Sequence, residues 1–234
     1  MPYNLNIPGH MFESELKIIE SWARTIPKNG VVVEVGSFFG RSTVCWAMSA
    51  DPSVKIYCGD CFPDQFTTGN DPIPKFGELA GHPLPSTTYH LWHDFKENVK
   101  DFSNIIPMRG MCPQDINYSG EVIDIFFLDA AHTNPSDWEN ITYFSQFLKP
   151  TGMICGHDYY HTFPDVIENV HRLEKLMNRK AIIYPDSALW SIFLAEPVNQ
   201  ITDDTIDNLQ KIIDELQKIR ISQETGGILK LRKQ

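Results

Sequence analysis

The chain has 234 residues, enough for one α/β domain with elaborations, since a single core commonly grows to about 250 residues before splitting. Its 42% hydrophobic and 21% charged residues exclude a disordered or fibrous chain, and 30 acidic against 20 basic residues, a net charge of -10, repel a phosphate backbone and argue against nucleic acid as a partner. The start, MPYNLNIPGHMF, lacks a leader's basic and apolar regions, no apolar run spans a bilayer, and five scattered cysteines form no disulfide framework, so a cytoplasmic protein off the membrane is expected.

In chain order, Met11, Leu16, Ile18, Ile19 and Trp22 fall on one face of a helix within 11–26, closed by Pro27 to Gly30. Val31 to Val35 reads as a strand buried on both sides, and Gly36 to Gly40 turns the chain into a helix over 41–49. A strand over 55–58 follows. The stretch 62–87, rich in proline and glycine and carrying Phe62, Phe66 and Phe76, reads as an insert or lid. A helix over 89–101, strands over 105–109 and 122–128, a helix over 135–148 and a short strand over 153–156 come next. After a helix over 164–177, the segments 181–184 and 189–194 read as a closing antiparallel pair. Ile206, Leu209, Ile213, Leu216 and Ile219 make the apolar stripe of a C-terminal amphipathic helix, over 201–224, which packs on the domain or forms a homodimer contact. Strands alternating with helices predict a single α/β domain built on a doubly wound, mostly parallel sheet.

The segment VVVEVGSFFGRSTVCWA, residues 31–47, sets an acid at the end of a strand, then Gly36, three residues and Gly40 before a helix. Gly36 permits a sharp turn and close ligand approach, and a helix N-terminus offers N–H groups to a carboxylate. The spacing matches neither GxGxxG nor GxxxxGK[ST], so a dinucleotide or nucleoside triphosphate is not indicated. The pattern resembles motif I of class I methyltransferases, whose turn cradles the methionine part of S-adenosylmethionine. That resemblance implies a cofactor set of Glu34, Gly36, Ser37, Phe38, Ser42 and Thr43, and a Rossmann-like, seven-stranded sheet with helices on both faces and an antiparallel last strand. A purely structural strand-to-helix turn is the alternative.

Asp60, closing KIYCGDCF, stands where a second strand ends and suits a ribose diol, with Cys61 beside it. Cys58 and Cys61 also read as a CxxC redox pair, although such pairs normally open a helix. RGMCPQD resembles the adenine loop of catechol-type enzymes, with Gly110, Met111, Cys112 and Gln114 as its candidates. His90 and His93 in HLWH have a zinc-like spacing but no further ligand nearby.

The segment IDIFFLDAAHTNPSDWENITYFSQFLKPTGMICGHDYY, residues 123–160, ends two apolar strands in Asp129 and Asp158. Neighbouring carboxylates repel unless a proton or cation lies between them, and hard oxygen ligands suit Mg2+. The stretch resembles FLDAxH…LKPGG…GHDY of small-molecule O-methyltransferases related to macrocin O-methyltransferase, and more distantly the catechol and caffeoyl-coenzyme A enzymes. The resemblance covers most of 31–194. It implies Asp129 and Asp158 as metal ligands, Asp129 also beside the cofactor, and His132 as general base, the three forming the catalytic set for a hydroxyl of a small molecule. Tyr159 stands where metal-dependent relatives carry Asp or Asn, with His157 or His161 as substitutes. A metal-dependent hydrolase using Asp129, His132, His157, Asp158 and His161, and a non-catalytic partner subunit, are the rival readings.

Overall fold

The computed structural model describes residues 3–67 and 88–195. Two units divide the chain, Met1–Tyr118 and Ser119–Gln234.

In the first unit, α1 (Glu13–Ala23) buries Leu16, Ile19, Trp22 and Ala23, close to the apolar spacing of its sequence. Glu15 reaches back to accept the Phe12 N–H at 2.8 Å, satisfying a donor that no helical carbonyl can reach. Next come β1 (Val31–Val35), α2 (Arg41–Ser49), β2 (Lys55–Asp60), β3 (Phe66–Thr67), β4 (Thr88–Tyr89), α3 (Leu91–Val99) and β5 (Ile105–Arg109). Strands β5, β2 and β1 lie side by side in that order and parallel, with Val35 opposite Gly59 and Asp60 opposite Arg109. All five residues of β1 are buried, as a central strand of four valines and the enclosed Glu34 requires. Strands β3 and β4 form a separate antiparallel pair. Leu91, Phe95 and Val99 make the buried stripe of α3, and the Phe95 ring packs 4.4 Å from that of Phe62.

In the second unit, β6 (Ile123–Leu128), α4 (Ser136–Ser145), β7 (Leu148–Gly156), α5 (Pro164–Met177), β8 (Ile182–Ile183) and β9 (Trp190–Phe193) follow. Strands β6 and β7 are parallel, and β9 pairs antiparallel with both β7 and β8. The helix expected over 135–148 stops at Ser145, and β7 starts at Leu148, five residues before the expected strand. The strand spans 149–152 as an irregularity in which pairing with β6 jumps from Leu148 to Met153, and Lys149 Nζ pairs with the buried Asp124 Oδ1 at 2.6 Å. Pro164 opens α5 and Asn178, in left-handed conformation, closes it.

The seven strands of the main sheet, mostly in parallel pairs with a short antiparallel close, reproduce the α/β pattern predicted from the alternation. The greater part of the 62–87 insert and the whole 201–224 helix lie outside the described residues. No described helix is long and apolar enough to cross a membrane.

Candidate active site

At the carboxyl end of β1 the backbone enters the left-handed region three times, with φ of 94° at Gly36, 48° at Phe38 and 90° at Gly40. A side chain there costs about 1–2 kcal/mol, which the two glycines avoid and Phe38 does not. The Phe38 N–H donates to Asp60 Oδ2 at 2.9 Å, offsetting that cost. The first helical bond of α2 runs from the Val44 N–H to the Gly40 carbonyl at 2.9 Å, so within the helix the N–H groups of Arg41, Ser42 and Thr43 have no acceptor. That positive helix end is where a carboxylate binds.

The side chains of the motif are less available than its main chain. Glu34 is fully buried and accepts a hydrogen bond from the Thr43 hydroxyl, which fastens α2 to β1. Ser37, Ser42 and Thr43 are buried as well. The geometry therefore leaves a ligand the amides of the turn, with Glu34 and Thr43 supporting it from behind.

Asp60 joins two loops. Its Oδ2 takes the Phe38 N–H and its Oδ1 takes the Phe62 N–H at 3.0 Å and the Cys61 thiol at 3.3 Å. A carboxylate has about four lone-pair positions, so one, on Oδ2, remains for a ribose hydroxyl. Burial first, and then the charge of Asp60, push the Cys61 thiol up to about 11, while burial pushes Cys58 well above its usual range. Neither is a thiolate near neutral pH, which removes the redox reading of the pair. Beyond β5, Gly110 donates its N–H to the Asp60 carbonyl at 3.0 Å, Met111 is exposed and Cys112 is buried against Gly59, where a Cβ would lie 2.6 Å from Cys112 Sγ. His90 Nδ1 meets the Asp64 carbonyl at 3.0 Å and His93 borders Asp94 at 3.4 Å.

In the second unit Leu128 of β6 and Gly156 of β7 are register partners, so Asp129 and the pair His157–Asp158 follow side by side. A Cβ on Gly156 would lie 2.5 Å from the Leu128 carbonyl and 2.7 Å from Trp190, so only glycine allows this approach. His132 Nε2 sits between the two acids, 2.7 Å from Asp158 Oδ2 and 3.3 Å from Asp129 Oδ1. His157 Nδ1 adds a second contact to Asp158 at 3.1 Å. His132 and Asp158 are themselves left-handed, with φ of 57° and 59°, strain of the kind concentrated at functional sites.

The electrostatics follow from this packing. Burial by itself would lower the His132 pKa, but its hydrogen bonds to Asp129 and Asp158 outweigh burial and raise it to about 10. Burial opposes ionisation of Asp158 too, yet its bonds from His132 and His157 hold it below the ordinary carboxylate range. Burial raises Asp129, only partly countered by His157. In this arrangement an imidazolium can occupy the place between the two acids. His132 is a charged partner in this arrangement, and it takes a proton only after losing its own. Asp129, His132 and Asp158 form the group among the described residues with ligand atoms within 4.8 Å of one another.

A family model described as a methyltransferase domain matches residues 33–159, more than half of the 234-residue chain. The chain belongs to this methyltransferase domain family. It is accordingly a class I methyltransferase dependent on S-adenosylmethionine, which sets the hydrolase reading aside. No curated protein matches it. Among solved structures, the O-methyltransferase NovP is similar at 12% identity and a TM-score of 0.56 over 78% of this chain and 80% of that one. Cofactor-bound Rv0187 from MTB matches at 14% identity and a TM-score of 0.55 over 82% and 84%. A protein provisionally named caffeoyl-CoA O-methyltransferase, from Staphylococcus aureus, matches at 11% identity and a TM-score of 0.55 over 80% and 84%. These likenesses establish the Rossmann-like methyltransferase fold.

Three features of this methyltransferase escape the sequence. Arg41 is buried rather than solvated, and its one signal is a cation at a helix N-terminus, where the dipole disfavours it. Asp137, in the first turn of α4, is buried; burial pushes it up to about 6 even though the backbone amides of His132 and Ala131 hydrogen-bond to it. Residue spacing gives no sign of that contact. A cavity of about 10 Å3, the size of one water, borders His132, Asp137, His157 and Asn169. Conversely, Tyr159 directs its hydroxyl to His171 Nε2 at 3.3 Å and His161 lies tilted against the Tyr160 ring with centroids 5.8 Å apart, so neither joins Asp129 and Asp158.

Proposed function

We propose that this methyltransferase acts on a hydroxyl oxygen of a small molecule, as the macrocin-like O-methyltransferases do. The observation carrying this reading is the Asp129–His132–Asp158 cluster at the carboxyl ends of β6 and β7, the sheet edge where α/β folds bind ligands. An acidic chain suits a small acceptor better than a nucleic acid. The amides at the start of α2 would hold the cofactor's carboxylate and Asp60 its ribose. Bound there, S-adenosylmethionine supplies an electrophilic methyl group on a sulfonium.

The chain's own work is to orient the acceptor in line and remove its proton. Asp129 and Asp158 could hold a divalent ion, which would polarise the acceptor oxygen. Carboxylate and water ligands suit Mg2+ and Mn2+ alike, and Mn2+ serves as the probe. With one carboxylate neutralised, His132 loses what raises its pKa and its Nε2 becomes a base for the acceptor hydroxyl.

The test uses labelled S-adenosylmethionine, a panel of catechols and sugars, and either Mn2+ or a chelator. Methylated oxygen is expected in the native chain, and loss of turnover in Asp129→Ala, His132→Ala and Asp158→Ala. Turnover unaffected by all three variants, or a methyl found on nitrogen, would overturn the proposal.

A further inference from the structure

Residues 3–12 precede α1 as a non-helical strap. Arg41, only 3% exposed, holds it: Nε donates to the Ile7 carbonyl at 2.7 Å, Nη1 to the Met11 carbonyl at 2.8 Å and Nη2 to the Leu5 carbonyl at 3.4 Å. A buried guanidinium is tolerated only where its N–H groups are satisfied, so strap and arginine depend on each other. The Tyr3 hydroxyl fastens the beginning of the strap to Glu13 Oε1 at 2.9 Å. At Gly9 a Cβ would lie 3.1 Å from Arg41 Cβ, so the strap passes directly over the arginine stem. The next residue, His10, packs its ring against Phe38 with centroids 5.5 Å apart.

Phe38 is the left-handed residue whose N–H holds Asp60. Its strain persists only if the surroundings fix it. Asp60 fixes the amide and His10 contacts the ring, so both ends of the residue are held. We propose that the strap is a positioning element of the cofactor site, in which Arg41 clamps the backbone and His10 keeps Phe38 in the conformation that aims Asp60. The inference rests on reading the turn at 36–42 and Asp60 as the S-adenosylmethionine cradle. Without the ring contact the turn relaxes, and a ligand must reorder it on binding.

The experiment is calorimetry of S-adenosylhomocysteine with the full chain, comparing native protein, His10→Ala, His10→Phe and Asp60→Ala. An aromatic pair contributes about 0.5–1.5 kcal/mol, so His10→Ala weakens binding roughly 2- to 10-fold, and His10→Phe, which keeps a ring, restores it. Amide exchange of residues 3–12 slows when the ligand is added to the native chain. A His10→Ala variant that binds like the native chain while Asp60→Ala is weakened overturns the strap proposal alone, and so does a strap whose exchange ignores the ligand. If Asp60→Ala binds like the native chain, the cradle reading itself has failed.

Discussion

Replacing Asp60 by Asn keeps the shape of the side chain and alters only its hydrogen-bonding character. In the native chain both oxygens accept main-chain N–H groups, from Phe38 at 2.9 Å and from Phe62 at 3.0 Å. An amide offers one oxygen, so in either orientation its NH2 faces one of these two donors. One N–H is left facing another donor, which strains the turn in free and bound protein alike, and the ribose loses a charge-assisted acceptor, which by itself costs binding about 1.5–3 kcal/mol. At 1.4 kcal/mol per tenfold, S-adenosylhomocysteine should bind roughly 10- to 100-fold more weakly. Titration calorimetry at fixed ionic strength reads this directly. Asp64→Asn is the control, because the Asp64 side chain is exposed and pairs with Arg109 at 2.7 Å. Binding by Asp60→Asn within twofold of native, or equal weakening in the control, would refute the reasoning.

Thr43→Val removes the hydroxyl that donates to buried Glu34 and should destabilise the fold by about 1–3 kcal/mol, seen as a thermal midpoint several degrees lower. Gly156→Ala sets a Cβ 2.5 Å from the Leu128 carbonyl and 2.7 Å from Trp190, with backbone on one side and a fully buried ring on the other; it should yield little soluble protein, whereas Gly120→Ala, whose Cβ meets only Phe147 at 3.6 Å, should cost mainly its left-handed strain. The raised pKa of His132 makes its contribution complete below the free-imidazole value near 6.5 and lost as pH rises toward about 10, and the lowered pKa of Asp158 makes its share fade on acidification. Denaturant unfolding of the native chain should therefore weaken across pH 7–10 with a slope that His132→Ala largely lacks. Because Mn2+ would compete with the imidazolium for the same two carboxylates, its affinity should tighten as pH rises; calorimetry at two pH values checks this, and a pH-independent affinity would place the ion elsewhere.

The strands and the glycine turn were legible in the chain because their causes are local. Three consecutive valines suit a strand buried on both faces, and Gly36 and Gly40 are the residue type that left-handed backbone demands. The acids ending β2, β6 and β7 follow from strand position alone. Local cues failed at β7, where Pro150 and Gly152 lie within the strand at an irregularity of its pairing.

Roles, as opposed to positions, came from contacts between residues far apart in the chain. Spacing marks Glu34 as a motif acid but not as a buried partner of Thr43, and it marks Arg41 as a helix-start cation but not as the clamp on carbonyls 30 or more residues earlier. His132 is the sharpest case. As a lone residue it titrates near neutrality, and only its placement between two desolvated carboxylates turns it into a lasting cation. Chain composition and period settle which elements form, because those depend on neighbours within a few residues. Protonation and orientation depend on the local dielectric and on partners that only the tertiary structure brings together.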